Sequence, residues 1–182
     1  MKPLTLITVL LLLAGCAASR GGMVTAAHPG EAADTSLSMG TAKLDAATSL
    51  GLYWNSNIRS GEILLTVSID GYETIQPGSS LRFTVDGTTY RLISSDPGTL
   101  HETVATGDVR QVNDTPVQFR SSRRYLISSE LAAGILASKR TVWALDLDAG
   151  TREGVFPTDG RSGMADTGFR EFLGHMGNAW KK

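Results

Sequence analysis

Residues 63–70 constrain the architecture more than any other stretch of the chain. Ile63, Leu65, Val67 and Ile69 alternate with Leu64, Thr66, Ser68 and Asp70. A period of two rich in β-branched residues reads as a strand with one buried face. That face needs a second layer to cover it. Asp70-Gly71 ends the run, and Pro77-Gly78 marks the next turn. Leu81, Phe83 and Val85 then alternate again, followed by Asp86-Gly87 and a second extended run over residues 89–93. Asp-Gly between two alternating runs signals a hairpin, because both positions tolerate positive φ. A hairpin is therefore predicted over 81–94, closed by Asp96-Pro97-Gly98.

Residues 99–106 and 117–127 read as further extended segments, the second carrying Val117, Phe119, Tyr125 and Ile127. A short helix follows, with Ser128 as its N-cap and Leu131, Ile135 and Leu136 on its apolar edge. Lys139 and Arg140 stand at its end, where cations complement the helix dipole. Residues 141–148 form a strand with Trp143, Leu145 and Leu147 on one face, turned back by Asp148-Ala149-Gly150 into a strand over 151–156. Phe169, Phe172, Leu173, Met176 and Trp180 fall on one stripe of a 3.6-residue period, predicting a C-terminal amphipathic helix capped by Asp166 or Thr167. Gly174 and Gly177 weaken that helix by about 1 kcal/mol each, so tertiary packing must hold it. Strands, helix, two strands and helix give an α+β class: a mostly antiparallel sheet with the short and the C-terminal helix packed on one face.

The chain begins differently. Residues 1–15 read MKPLTLITVLLLLAG. Lys2 supplies a positive n-region, residues 4–13 an apolar stretch interrupted only by Thr5 and Thr8, and Ala14 and Gly15 a small-residue end. That order is a secretory signal peptide. A membrane span needs about 20 apolar residues, and this run is half that. The protein has one cysteine, Cys16, immediately after the signal. A disulfide framework within one chain is thereby excluded.

Leu13-Ala14-Gly15-Cys16 resembles the lipobox of bacterial lipoproteins. The resemblance implies diacylglycerol on the Cys16 thiol, cleavage between Gly15 and Cys16 by the type II signal peptidase, and acylation of the new amino group, palmitate being the expected kind of chain. Each buried CH₂ contributes about 0.8 kcal/mol, so two or three long chains hold a protein at a membrane. In enterobacterial relatives an Asp after the Cys retains lipoproteins in the inner membrane. Ala17 stands there instead, which resembles an outer-membrane address with the domain facing the periplasm; the inner membrane and the cell surface are the alternatives. Residues 16–49 are dominated by Ala, Gly, Ser and Thr, with few large apolar residues. They are expected to form a flexible tether of roughly 30 Å reach, leaving 50–182 as the folded domain. His28 falls in this tether. Tyr53-Trp54 at the boundary reads either as the rim of the core or as a contact for a partner.

Net charge is -1 and charged residues are 19%, so no global field recruits nucleic acid. Catalytic and metal motifs do not assemble. Gly160-Arg161-Ser162-Gly163 is not a nucleophile elbow. His101-Glu102 lacks the second His that a zinc protease needs. Asp146-x-Asp148 starts like a calcium loop, but Gly150 comes one residue early. No cofactor or metal is expected. Arg120, Arg123 and Arg124, with Arg110 nearby, form a basic run. It reads either as a contact for phosphate or carboxylate or as a solvated strand whose charges deter edge pairing. The leading expectation is a non-enzymatic envelope lipoprotein that contacts a protein or glycan of the envelope. A lipid-anchored hydrolase and a small-ligand carrier are the alternatives. Sequence carries no sign of oligomeric state.

Overall fold

The computed structural model describes residues 22–27, 36–59, 61–105, 117–156 and 164–179. The signal segment, Cys16, His28, Arg110 and Trp180 lie outside these. The alternating run is strand β4 (Glu62–Asp70), and it lies inside a six-stranded sheet. Its neighbours are β3 (Thr48–Asn55) and β8 (Val117–Ser128), and the full order is β1 (Val24–Ala27), β2 (Ser36–Lys43), β3, β4, β8 and β7 (Leu100–Ala105). A second sheet has the order β10 (Gly150–Val155), β9 (Thr141–Leu147), β5 (Leu81–Val85) and β6 (Thr88–Leu92). The pairings between these strands are antiparallel. Two helices, α1 (Ser129–Ala137) and α2 (Met164–Ala179), complete the described fold. The α+β class with mostly antiparallel sheet therefore holds.

Register explains the core. Ile63, Leu65, Val67 and Ile69 face the same side as Leu50 and Leu52 of β3 and Tyr125 and Ile127 of β8, their cross-strand partners. From the second sheet, Leu81, Phe83, Trp143 and Leu145 join the same buried cluster, as do Phe169, Phe172 and Met176 of α2. The hairpin of β5 and β6 turns at Asp86-Gly87, both with positive φ (45° and 90°). Ser128 caps α1, its hydroxyl accepting the Leu131 N–H at 3.1 Å.

Two expectations need correction. Residues 16–49 are not one flexible tether, because β1, β2 and the start of β3 lie within them. Leu37 and Met39 are spaced by two on β2, pair with Trp54 and Leu52, and are buried. Few apolar residues suffice when they alternate and something covers them; a composition average hides that spacing. The domain therefore starts well before residue 50. Second, the strands form two sheets, not one, since β5 pairs with β9 and β6 and with no strand of the larger sheet. The apolar edge of α1 is as expected: Ile135 is buried, and the half-buried Leu131 and Leu136 pack against the core, with Ala132 buried beside them. Trp54 is buried in the core and Tyr53 half-buried, so that pair is a core edge and not an exposed contact.

Candidate functional site

Alternation that aims one set of side chains at the core aims the other set outward. On the outer face of the large sheet this second set builds a groove of about 640 Å³. Its floor comes from Thr66 and Ser68 of β4 and from Arg120, Ser122 and Arg124 of β8. Thr41 of β2 lies at one side, and Leu100 and Glu102 of β7 at the other. The Asp96–Thr99 turn walls it. Register sets the grid: Ser122 stands opposite Ser68 and Leu100, Arg120 opposite Asp70 and Glu102, and Arg124 opposite Thr66.

The basic run is split by the same alternation. Arg120 and Arg124 point into the groove, whereas Arg123 points to the inner face and is 2% exposed. Arg123 therefore cannot share a surface anion site with its neighbours, which removes it from the expected three-arginine contact. Its guanidinium donates to Ser94 Oγ at 2.7 Å, to the Ile75 carbonyl at 2.6 Å and to the Asp96 carbonyl at 3.0 Å. These bonds satisfy a buried charge with oxygen acceptors, as burial requires. From the opposite face Arg124 grips the Asp96 carboxylate through Nε at 2.9 Å and a terminal nitrogen at 2.7 Å, and its backbone N–H donates to the same group at 2.8 Å. Successive arginines thus hold one turn from both sides of the sheet, and that turn is the wall of the groove. Burial would raise the Asp96 pKa, but the Arg124 hydrogen bonds and the charges of Arg124 and Arg123 hold it below the ordinary carboxylate value. The Asp96 hydrogen bond lifts Arg124 in turn.

Arg120 is placed differently. Its Nε is buried without a hydrogen-bond partner and sits 3.7 Å from Asp70 Oδ1. Asp70 is itself engaged by Lys43 Nζ.

His101 and Ser121 are brought together at 3.0 Å, Nδ1 to Oγ. The pair is built as a brace. Ser121 is fully buried, accepts the Glu73 N–H at 2.9 Å and donates to the Gly71 carbonyl at 2.9 Å. The Gly71 carbonyl and His101 Nδ1 both lie within reach of the single hydroxyl proton, and the Glu73 N–H occupies the same oxygen, so the serine is tied into the turn on three sides. His101 also stacks on Tyr72, ring centroids 4.1 Å apart. His175 lies apart on α2, 3.9 Å from Glu171. Asp146 serves a cross-strand network: Arg82 and the Thr151 hydroxyl donate to it, and Thr151 is its strand partner. Burial opposes its charge, yet those bonds keep its pKa lowered. Among the described residues no three His, Cys, Asp or Glu side chains converge as metal ligands.

Sequence reasoning missed Ser68, Ser122, Thr66, Asp96 and Glu102 as groove residues. The signal was present in β4 and β8, whose outward positions include Thr66, Ser68 and Ser122, but which strands stand side by side is not written locally. Comparison with protein-family models, with curated proteins and with solved structures finds no match for this chain. No described helix is long and apolar enough to cross a membrane.

Proposed function

We propose that this chain is a lipid-anchored lipoprotein of the bacterial envelope. Its signal is removed before Cys16, it is held at the outer membrane facing the periplasm, and its domain acts as a non-enzymatic binding module. The observation that carries the anchor is the order of Lys2, the apolar run and Leu13-Ala14-Gly15-Cys16, ending at the sole cysteine. The groove on the large sheet is the surface through which the domain contacts an envelope component. Its volume falls within the roughly 300–1,000 Å³ typical of ligand sites. In this reading α2 is the amphipathic cover of the inner face, which leaves the outer face for binding.

The anchor is short. Cys16 is six residues from Gly22, and an extended chain spans at most about 3.3–3.6 Å per residue, so the β1 edge stays within roughly 20 Å of the lipid. The domain works beside the membrane.

Mass spectrometry of the native protein tests the anchor. A mature chain starting at Cys16 and carrying acyl chains is expected, with release to the soluble fraction for Cys16→Ser; an unacylated wild-type chain refutes it. Photo-crosslinking in cells tests the groove. A crosslinker at Thr66 should form an adduct that one at Thr89, exposed on the smaller sheet, does not form. Equal adducts at both positions refute the groove as the contact surface.

A further inference from the structure

The six-stranded sheet ends at β7, which pairs with β8 and with no other described strand. Its far side presents backbone N–H and C=O groups without a strand partner, and such an edge is a template for another chain. Native edges are blunted by charge, shortness or cover. β6 and β10, the edges of the smaller sheet, carry Arg91, and Arg152 with Glu153. β1, at the other end of the large sheet, has four residues, and α2 packs against it. β7 has six residues, with no Pro, Lys or Arg among them. Of the edges in the described fold it is the least protected.

The two faces beside this edge differ in chemistry. Leu100 and Glu102 line the outer groove. His101 and Thr103 face the other side, with their cross-strand partners Ser121 and Phe119. There Tyr72 stacks on His101, ring centroids 4.1 Å apart, and meets Phe119 edge-on at 5.9 Å. Tyr72 is 69% and Phe119 50% exposed, so an exposed aromatic patch borders the edge. Aromatic side chains are enriched where proteins meet. On the groove side the edge carries one negative charge. Arg120, opposite Glu102 on β8, lies 3.7 Å from Asp70, and among the described residues no cation pairs with Glu102. An added strand would turn alternate side chains to these two faces. A residue opposite Glu102 is best basic; its neighbours, over the aromatic patch, are best apolar. A second copy of β7 has no Lys or Arg to bring to Glu102, so charge favours a different chain.

Resting on the reading of the outer groove as a contact surface, we infer that β7 takes up an extended segment of another envelope protein as an added strand, whose apolar–basic–apolar triplet sets the basic side chain opposite Glu102 and the apolar ones beside Tyr72, His101 and Phe119. In strand addition the main chain supplies affinity and the alternate side chains supply specificity. The probe is acetyl-Ser-Thr-Val-Lys-Phe-Thr-amide, written to run antiparallel to β7. It is titrated into the full chain in detergent micelles and read by ligand-observed NMR, with empty micelles as the blank. Only every second residue of an added strand turns its N–H toward the edge. Methylating alternate peptide amides should therefore weaken binding at least about tenfold in one phase and spare it in the other. A probe with glutamate in place of its lysine should bind about threefold more weakly, and Glu102→Lys should reverse that order. Tyr72→Ala should weaken both probes. Equal effects of the two methylation phases overturn strand addition. An order of the lysine and glutamate probes that Glu102→Lys leaves unchanged overturns the charge assignment. A photo-crosslinker at Thr103 that joins two copies of this chain, undisturbed by the probe, gives the edge to a second copy and overturns the foreign strand. No binding of any probe overturns the inference at β7, while the Thr66 crosslink still decides separately whether the groove is a contact surface.

Discussion

Replacing Gly168 by alanine tests how α2 meets the strands beneath it. At an open helical position the change from glycine to alanine stabilises by about 1 kcal/mol. Gly174 is such a position, since a Cβ there meets nothing within 4 Å. At Gly168 the new methyl would lie 2.6 Å from the Gly22 carbonyl oxygen and 2.7 Å from Met39 Sδ. The methionine can rotate away. The Gly22 backbone cannot yield easily, because its N–H donates to the Gly40 carbonyl at 3.2 Å and its φ is 82°. Overpacking of this kind costs about 1–3 kcal/mol, which meets or exceeds the propensity gain. Gly174→Ala should therefore stabilise by about 1 kcal/mol, and Gly168→Ala should be neutral to destabilising by about 2 kcal/mol. For a chain of this size each kcal/mol moves the midpoint by about 2–4 °C, so the two variants should separate by several degrees in thermal unfolding followed by circular dichroism. A Gly168→Ala protein as stabilised as Gly174→Ala would refute the docking of α2 on Gly22 and β2. It would also remove the fixed point from which the short tether is measured.

Gly154 on β10 makes a second packing test: a Cβ there would sit 2.8 Å from the indole of the buried Trp143, so Gly154→Ala should cost about 1–3 kcal/mol in a urea titration. Arg123→Lys keeps the buried charge but cannot reach Ser94, Ile75 and Asp96 together as a planar fork does; a loss of about 3 kcal/mol or more is expected, and an unchanged denaturation midpoint would show that the three bonds do not hold the turn. Asp96 and Asp146 have folded pKa values below the ordinary 3.8 of a free aspartate. Their contribution to stability is complete above that value and is lost as pH falls through the lower folded values. Asp96→Asn and Asp146→Asn should each flatten the acid limb of a stability–pH curve below about pH 4, and a variant whose acid limb matches the wild type would contradict the role given to that carboxylate.

Local signals in the chain were strong wherever neighbours in sequence are neighbours in space. The β4 alternation, the Asp86-Gly87 hairpin, the Ser128 cap and the β9–β10 turn at Gly150 are all set by residues within a few positions of each other. β2 was illegible for the opposite reason. It buries only Leu37, Met39 and Ala42, and β3 beside them and α2 over them make them a core. The candidate site was half legible: the arginines stood out, but their division between two faces follows from strand phase, and Thr66 and Ser68 beside them come from another strand.

Sequence by itself determined the single thiol behind a signal-like leader and the period-two strands that give a mostly antiparallel α+β domain, because covalent order and side-chain alternation are local properties. Only tertiary structure decided that the strands divide into two sheets, that Arg123 belongs to the interior while Arg120 and Arg124 face a groove, and that Ser68 meets Ser122. Those facts depend on register between segments more than fifty residues apart, and register is settled by which apolar faces can be buried together.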